Sequence, residues 1–253
     1  MLNLMYITNK PEVAKIAEDV GVDWIFIDME FIGKDSRQGG LDTVQNHHTV
    51  EDVKIIRKAI TKAKLLVRVN PIHKALENYP SSKEEIDAVI EAGADIIMLP
   101  FFKTVEAADL IVEILEVPGI DMIHLGLNDL HLEKGMKFMF ELLADGTVDM
   151  LGGKIKAKGI PFGFGGIATL DGGALPGSMV LKEHVRLGST MVIVSRSFCN
   201  TDVLTDLDEV RAIFQKGIKE IRDLEVEVED KPKEYFDDNH KEVVKAVQKI
   251  ISI

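Results

Sequence analysis

The amino-acid sequence predicts an α/β fold of the (β/α)8 TIM-barrel type, with roughly seven strands visible and an additional C-terminal helix. Short apolar runs rich in Ile, Val, Leu and Met alternate with amphipathic stretches along the chain, which is typical of α/β proteins. The runs are apolar at nearly every position, which indicates strands buried on both faces of a parallel sheet. The length of 253 residues suits a single barrel.

Apolar runs account for the predicted strands. They lie at residues 4–8, 24–28, 64–69, 95–100, 122–127, 161–168 and 191–195. Amphipathic stretches between them predict helices at residues 11–21, 49–64, 82–93 and 181–188. The first helix has Pro11 just inside its start and Gly21 at its end, positions that these residues favour. An open doubly wound sheet competes with the barrel, but the first strand–helix turn lacks the dinucleotide-binding pattern G-x-G-x-x-G.

The C-terminal part of the chain predicts a separate segment. Residues 1–225 form the predicted barrel domain, and residues 226–253 form a charged linker followed by an amphipathic helix. This helix carries an apolar stripe made of Val243, Val244, Val247, Ile250 and Ile251. The stripe must bury against the barrel or a second subunit, and because the linker lets it reach away from the barrel, we expect a homo-oligomer.

Composition and charge narrow the possible partners. The formal net charge of −12 argues against nonspecific binding of nucleic acid, which requires a basic surface. No apolar run approaches the roughly 20 residues that span a bilayer, and the N-terminus shows no signal peptide, so no membrane partner is expected. The single cysteine, Cys199, fits a reducing compartment and predicts a cytoplasmic protein.

Polar residues follow several predicted strands, at the end where the mouth of a barrel carries its active site. Asp28 and Glu30 end the second strand and point the same way, because side chains alternate along a strand. Arg68 lies in the third apolar strand, where a charge is costly unless it is paired. Its guanidinium is suited to clamping a carboxylate with two parallel hydrogen bonds. The alternatives to a functional site are that Asp28 and Glu30 only cap the strand and that Arg68 belongs to a structural ion pair.

Further candidate site residues lie in three loops. Asn128 and Asp129 follow the fifth strand, and Gly126 permits close approach of the backbone. Asp129 is an oxygen ligand suited to Mg2+ or Mn2+, or alternatively the N-cap of a short helix. His48, in the loop after the second strand, is a candidate general base or an ordinary helix-entry residue. The glycine-rich residues 163–177 predict an anion-binding loop or a flexible one.

Four segments, in this order, resemble the HpcH/HpaI aldolase/citrate lyase family. They are FIDME, LLVRVNP, AGADIIMLP and VPGIDMIHLGLNDL. The resemblance covers most of residues 1–200 and implies a (β/α)8 barrel enzyme. It also implies a divalent metal that binds a 2-oxo acid, typically pyruvate, and stabilises its enolate. Relatives cleave or form carbon–carbon bonds in citrate-type and malyl-type CoA thioesters.

The resemblance gives each candidate residue a role. Arg68 resembles the family arginine that contacts the oxo acid and the developing oxyanion, and Asp129 resembles the aspartate that ligates the metal. Asp28 resembles the aspartate that orients the catalytic histidine, and Glu30 resembles the glutamate beside that histidine. The backbone of residues 126–129 would hold the substrate carboxylate.

The chain departs from the family pattern in two places. Phe31 stands where the family has its histidine, which makes His48 the substitute candidate. A β/α unit between MLP and PGID, whose strand carries the second metal-ligating glutamate, is missing. Three explanations account for the gap: residues that are absent from this sequence, a genuine deletion in the gene, or a deletion made deliberately. The first is favoured, because a seven-stranded parallel barrel must re-close or expose an edge.

The leading functional hypothesis is therefore a class II aldolase or carbon–carbon lyase that acts on a 2-oxo acid or a related carboxylate or CoA ester. Arg68 would stabilise the enolate oxygen, and His48 backed by Asp28, or a metal-bound water, would move the proton. One alternative is a catalytically impaired barrel that binds a small anion or acts as a scaffold. Another is a different barrel enzyme that binds a phosphorylated substrate through residues 163–177.

Overall fold

The computed structural model describes residues 1–32, 48–76, 80–100 and 111–252 of the chain. The strands in these ranges are β1 (Asn3–Ile7), β2 (Trp24–Asp28), β3 (Lys64–Arg68), β4 (Ile96–Met98), β5 (Ile123–Leu125), β6 (Phe162–Ile167) and β7 (Met191–Val194). The helices are α1 (Pro11–Asp19), α2 (Val50–Ala59), α3 (Ser82–Glu91), α4 (Ile111–Ile114), α5 (Leu127–Glu133), α6 (Glu141–Ala144), α7 (Thr147–Ala157), α8 (Gly177–Leu187), α9 (Leu207–Val228) and α10 (Lys233–Ile251).

Every predicted strand forms, and the seven strands follow the order β4-β3-β2-β1-β7-β6-β5. The pairs β1–β2, β2–β3, β3–β4, β5–β6 and β6–β7 are parallel. The predicted α/β class and the strand–helix alternation of a TIM-type barrel are thus confirmed, with seven strands in the described part of the chain. The junction predicted to lack a β/α unit includes residues 101–110, which lie outside the described residues.

The chain divides into two compact units. The N-terminal unit comprises Met5–Phe101 and Asp206–Arg211, and it contains β2, β3 and β4 with helices α1 to α3. The C-terminal unit comprises Met1–Leu4, Phe102–Thr205 and Ala212–Ile253.

In the N-terminal unit, a buried carboxylate joins α1 to the turn before β3. Glu18 Oε1 accepts hydrogen bonds from the backbone N–H groups of Thr61, Lys62 and Ala63. Burial by itself would raise the pKa of Glu18, but hydrogen bonds from Lys15 and from these three N–H groups hold that pKa at about 2. Helix α2 therefore ends at Ala59, earlier than predicted, because the following N–H groups bind Glu18.

In the C-terminal unit, apolar side chains of β5, β6 and the surrounding helices form the core. Phe162 and Phe164, on β6, are fully buried at its centre. Helix α7 approaches β6 closely because Gly152 carries no side chain: a Cβ there would lie 2.6 Å from Phe162 Cζ. Glycine in the middle of this helix is thus explained by packing, although it weakens the helix itself.

The apolar stripe of α10 packs within its own unit, which corrects the argument for oligomerisation made from it. Val243 and Val247 are buried members of the core, and Ala246 and Ile251 pack against it. The stripe consequently does not project from the molecule as a free interface. A homo-oligomer stays a prediction that this stripe does not support.

The predicted charged linker is shorter in the structure than in the sequence-based prediction. Residues 226–228 complete α9, and α10 begins at Lys233, so the connection between the two helices is residues 229–232. Ion pairs four residues apart stabilise the exposed face of the second helix, as between Lys233 and Asp237. No helix in the described ranges is long and apolar enough to cross a membrane.

Candidate active site

Arg68 and Asp28 stand side by side at the C-terminal ends of β3 and β2, where they are register partners. Arg68 Nε donates to Asp28 Oδ1, and Arg68 Nη2 donates to Asp28 Oδ2, each at 2.8 Å. Asp28 is buried, whereas the Arg68 side chain keeps 22% of its surface exposed. The guanidinium thus forms a bidentate ion pair and still reaches the surface of the unit.

Glu30 brings a second carboxylate to this pair. Its Oε2 lies 3.4 Å from Arg68 Nε, and its side chain is almost completely buried. Its backbone N–H donates to Asp28 Oδ1 at 3.2 Å. The guanidinium carbon of Arg68 also lies 5.6 Å from the centre of the Phe26 ring. Two carboxylates and an aromatic face therefore fix the orientation of Arg68.

His48 joins the same cluster through its Nδ1 atom. This atom accepts a hydrogen bond of 3.1 Å from the backbone N–H of Asp28. A neutral imidazole that accepts at Nδ1 carries its proton on Nε2. The neighbouring Thr49 caps α2 and exchanges hydrogen bonds with Asp52, which fixes the chain next to His48.

Asn70 and Glu85 are two residues to which the sequence analysis gave no role. Asn70 Oδ1 accepts from the N–H groups of Phe31 and Ile32, both at 2.9 Å. Asn70 Nδ2 donates to Glu85 Oε1 at 2.8 Å. A signal for Glu85 exists in the sequence, because its spacing from Val89 places it on the buried stripe of α3. Asn70 follows Arg68 by two residues, which predicts the same side of the strand.

The remaining candidates lie in the C-terminal unit, around the start of α5. Gly126 is the N-cap residue, Asn128 is exposed, and Asp129 lies in the first helical turn and is partly buried. The alternative that Asp129 caps the helix is therefore wrong, because Gly126 holds that position. A Cβ on Gly126 would lie 3.9 Å from Asp129 Oδ2, so the carboxylate faces this exposed glycine.

The predicted residues thus form two groups. Asp28, Glu30, His48 and Arg68 contact one another in the N-terminal unit. The segment from Gly126 to Asp129 belongs to the C-terminal unit. That the two groups converge on one substrate stays a prediction.

The described residues contain no group of three or more histidine, cysteine, aspartate or glutamate side chains that could hold a metal ion. Asp129 alone is one oxygen ligand, whereas Mg2+ requires a nearly octahedral shell completed by other oxygens. The donor set in the described ranges therefore does not fit a preformed divalent metal site.

The glycine-rich segment from Gly163 to Gly177 does not present its helix N-terminus to an anion. The N–H groups of Gly177 and Ser178, which begin α8, donate to the carbonyl groups of Gly172 and Leu170. A Cβ on Gly177 would lie 2.5 Å from the carbonyl oxygen of Thr169, so the loop folds tightly onto the helix start. The backbone donors that would bind a phosphate are used within the loop.

A further histidine is buried in the C-terminal unit. His184 is completely buried, and its ring stacks on Phe164 with 3.7 Å between centroids. Burial, together with the neighbouring His124, lowers the pKa of His184 well below its usual value. We assign His184 a structural role, as a neutral stacking partner.

Comparison with known proteins supports the resemblance found in the sequence over part of the chain. Residues 3–117 match the family model of the HpcH/HpaI aldolase/citrate lyase family. The resemblance inferred from FIDME, LLVRVNP and AGADIIMLP is thereby confirmed over this part of the chain. No curated protein matches the sequence.

Solved structures share the fold at low sequence identity. An HpcH/HpaI aldolase/citrate lyase family protein from Burkholderia cenocepacia J2315 is 15% identical with a TM-score of 0.59, covering 83% of this chain and 94% of its own. An HpcH/HpaI aldolase from Desulfitobacterium hafniense DCB-2 is 13% identical with a TM-score of 0.57, covering 87% and 93%. Macrophomate synthase is 13% identical with a TM-score of 0.53, covering 85% of each chain.

Proposed function

We propose that this chain, whose residues 3–117 match the HpcH/HpaI aldolase/citrate lyase family, is a carbon–carbon lyase or aldolase. Its substrate would be a 2-oxo acid such as pyruvate, or a related carboxylate or CoA ester. The observation that carries the proposal is the Arg68 guanidinium, which is locked by Asp28 at adjacent strand ends and partly exposed.

Arg68 supplies the charge that such a reaction needs. Breaking or forming a carbon–carbon bond next to an oxo group passes through an enolate, whose oxygen carries negative charge. A guanidinium stabilises that oxygen best when it is already oriented, because no reorganisation is then required during the reaction. The bidentate bonds from Asp28 provide this orientation.

His48 provides a neutral donor in the same cluster. Because its Nδ1 accepts from the Asp28 N–H, the neutral ring carries its proton on Nε2. To act as a base at Nδ1, it would first have to release that N–H. We therefore propose His48 as a hydrogen-bond donor to a developing oxyanion, and the general-base role inferred from the sequence stays the alternative.

Members of this family typically depend on a divalent metal, and we propose Mg2+ or Mn2+ with Asp129 as one ligand. Such an ion would supply Lewis-acid chemistry at the oxo group. The described donor set does not fit the ion by itself, and the proposed roles of Arg68 and His48 do not depend on it.

Deuterium exchange into the methyl group of pyruvate tests the proposed activity, because exchange requires the enolate. The whole chain is incubated with pyruvate in D2O, with Mg2+, with Mn2+ and with neither, and the methyl signal is followed by NMR. Exchange faster than in buffer is expected with at least one ion. Exchange at the buffer rate under all conditions would contradict an aldolase that uses pyruvate.

A catalytically impaired barrel that binds a small anion is the second candidate function. Phe31 in place of the family histidine favours it, as does the lack of a three-residue metal group among the described residues. Binding of pyruvate without methyl exchange, measured by saturation transfer, would favour this alternative. Assembly as a homo-oligomer and a cytoplasmic location also stay proposals.

A further inference from the structure

The side chain of Asn70 continues the pairing of β2 with β3 beyond the point where the two backbones separate. The register of the strands ends with Asp28 opposite Arg68, and the N–H of Met29 then donates to the carbonyl of Arg68 at 2.9 Å. The N–H of Glu30 donates to Asp28 Oδ1, and the N–H groups of Phe31 and Ile32 donate to Asn70 Oδ1 rather than to the backbone. Asn70 thus holds the chain directly after the acidic pair.

Glu85 holds Asn70 in turn. Its Oε1 accepts from Asn70 Nδ2 at 2.8 Å, and both carboxylate oxygens lie 3.3 Å from the backbone nitrogen of Asn70. Asn70 is 6% exposed and Glu85 is 4% exposed. A buried carboxylate is tolerated where its oxygens receive hydrogen bonds, and here the side chain and backbone of one asparagine supply them.

We propose that Asn70 and Glu85 form a positioning pair for the catalytic cluster, an inference that rests on the function proposed above. The pair fixes the backbone at residues 31–32, which follow Glu30 immediately. It also fixes the chain just after β3, two residues beyond Arg68. Both sides of the Arg68–Asp28 ion pair are consequently anchored by one buried amide, so losing the amide displaces the ion pair.

The chemistry of the pair allows a charge-exchange test. In Asn70→Asp, the new carboxylate can still accept from the two N–H groups, but it meets Glu85 at hydrogen-bond distance and both groups are buried. In the double variant Asn70→Asp with Glu85→Gln, the glutamine amide can donate to the new carboxylate. One negative charge and the connection between the two side chains are then restored.

Two readouts measure the site without relying on catalysis. Amide exchange of Phe31 and Ile32 reports on the bonds to Asn70, with the amides of Ile25 and Phe26 in β2 as internal controls. The NMR signal of the Arg68 Nε–H reports on its bond to Asp28. Asp87→Asn, an exposed change on the same helix, is the matched control.

We expect Asn70→Asp to speed exchange of Phe31 and Ile32, to shift or broaden the Arg68 Nε–H signal, and to lower kcat for pyruvate methyl exchange about 10- to 100-fold. KM should change less. The double variant should return all three readouts to within about threefold of the wild type, and Asp87→Asn should leave them unchanged.

Two results would overturn the positioning role. One is an unchanged Arg68 Nε–H signal in Asn70→Asp when only thermal stability falls, which would make the pair purely structural. The other is a double variant that is no better than Asn70→Asp. If the wild type itself exchanges no pyruvate protons, the proposed function fails, while the amide and Arg68 signals still decide whether the pair holds the cluster.

Discussion

At the scale of single residues, Arg68 illustrates why a charge in an apolar strand is informative. Burial of an unpaired guanidinium is costly, so a charged side chain in LLVRVNP predicts a nearby carboxylate. The structure supplies two, Asp28 and Glu30. Sequence could predict that the two acids point the same way and that Arg68 suits a bidentate pair, but it could not identify Asp28 as the partner, which depends on the register of β2 and β3.

The first prediction concerns the planar fork of Arg68. Arg68→Lys should lower kcat/KM for pyruvate methyl exchange about 100-fold or more, because lysine keeps the charge but cannot pair with Asp28 through two parallel bonds. Its thermal unfolding should stay cooperative. Arg57→Lys, which alters an ion pair with Asp95 elsewhere in the same unit, serves as the control and should retain activity. Equal rates for wild type and Arg68→Lys would show that Arg68 is structural.

The second prediction concerns Asp129 and metal affinity. Because the described residues contain no group of three or more metal-ligating side chains, Mn2+ should bind weakly, with a Kd of about 0.1–1 mM. Asp129→Asn should weaken this binding further, by about tenfold or more, since the charged ligand is lost. Titration of Mn2+ followed by electron paramagnetic resonance measures both values. Unchanged Mn2+ affinity in Asp129→Asn would remove Asp129 from the metal site.

Asn70 and Glu85 show where prediction at the residue scale fails. The spacing along α3 places Glu85 on the buried stripe, but the spacing does not show whether a polar residue on that stripe has a specific partner. Only the fold brings Glu85 to the end of β3, fifteen positions away from Asn70 in sequence. Contacts of this kind depend on how a helix lies on its sheet, which local patterns do not encode.

At the scale of helices and strands, local sequence patterns predict which elements exist better than they predict where those elements end. Each of the apolar runs became a strand because burial on both faces requires apolar residues at every position. The end of α2 was predicted too late, since Thr61, Lys62 and Ala63 carry no helix-stop signal of their own. Their N–H groups instead bind Glu18, whose position depends on the packing of α1.

The third prediction concerns the pH dependence of the hydrogen bonds between Glu18 and the turn before β3. The pKa of Glu18 is about 2 in the folded chain and 4.5 ordinarily, so the ionised form stabilises the fold by roughly 3 kcal/mol at neutral pH. This contribution is fully present above pH 4.5 and is lost as the pH falls toward 2. Glu18→Gln should therefore lower the free energy of unfolding in urea at pH 7, and the difference from wild type should shrink below pH 4.5.

Asp19→Asn is the control for this experiment. Asp19 is partly exposed and pairs with the same Lys15, so its loss should cost less than about 1 kcal/mol. A constant difference between wild type and Glu18→Gln from pH 7 to pH 3 would contradict the assigned cause.

The fourth prediction concerns the apolar stripe of α10. An amphipathic pattern predicts that one face of a helix is covered, but it does not identify what covers it. From the sequence, both the barrel and a second subunit were therefore possible partners for the stripe. Since Val247 lies in the core of its own unit, Val247→Ala should destabilise the fold by roughly 2 kcal/mol. The fall in Tm should be the same at low and high protein concentration.

Gln248→Ala, at an exposed position of the same helix, should leave Tm nearly unchanged. A fall in Tm that shrinks at high protein concentration would instead indicate that the stripe is shared between subunits.

At the scale of the whole molecule, composition and alternation predicted the α/β class correctly, and the comparisons confirm the family resemblance over residues 3–117. The division between a barrel at residues 1–225 and a C-terminal segment stays a prediction, since α9 runs across that boundary. The linker was misjudged because a charged composition suits an exposed helix face as well as a solvated connection.

Binding of the substrate at Arg68 is the central proposal at this scale. A crystal structure of the whole chain with pyruvate tests it most directly. We predict pyruvate with an oxygen within about 3.2 Å of the Arg68 guanidinium. Pyruvate bound away from Arg68 would contradict the account.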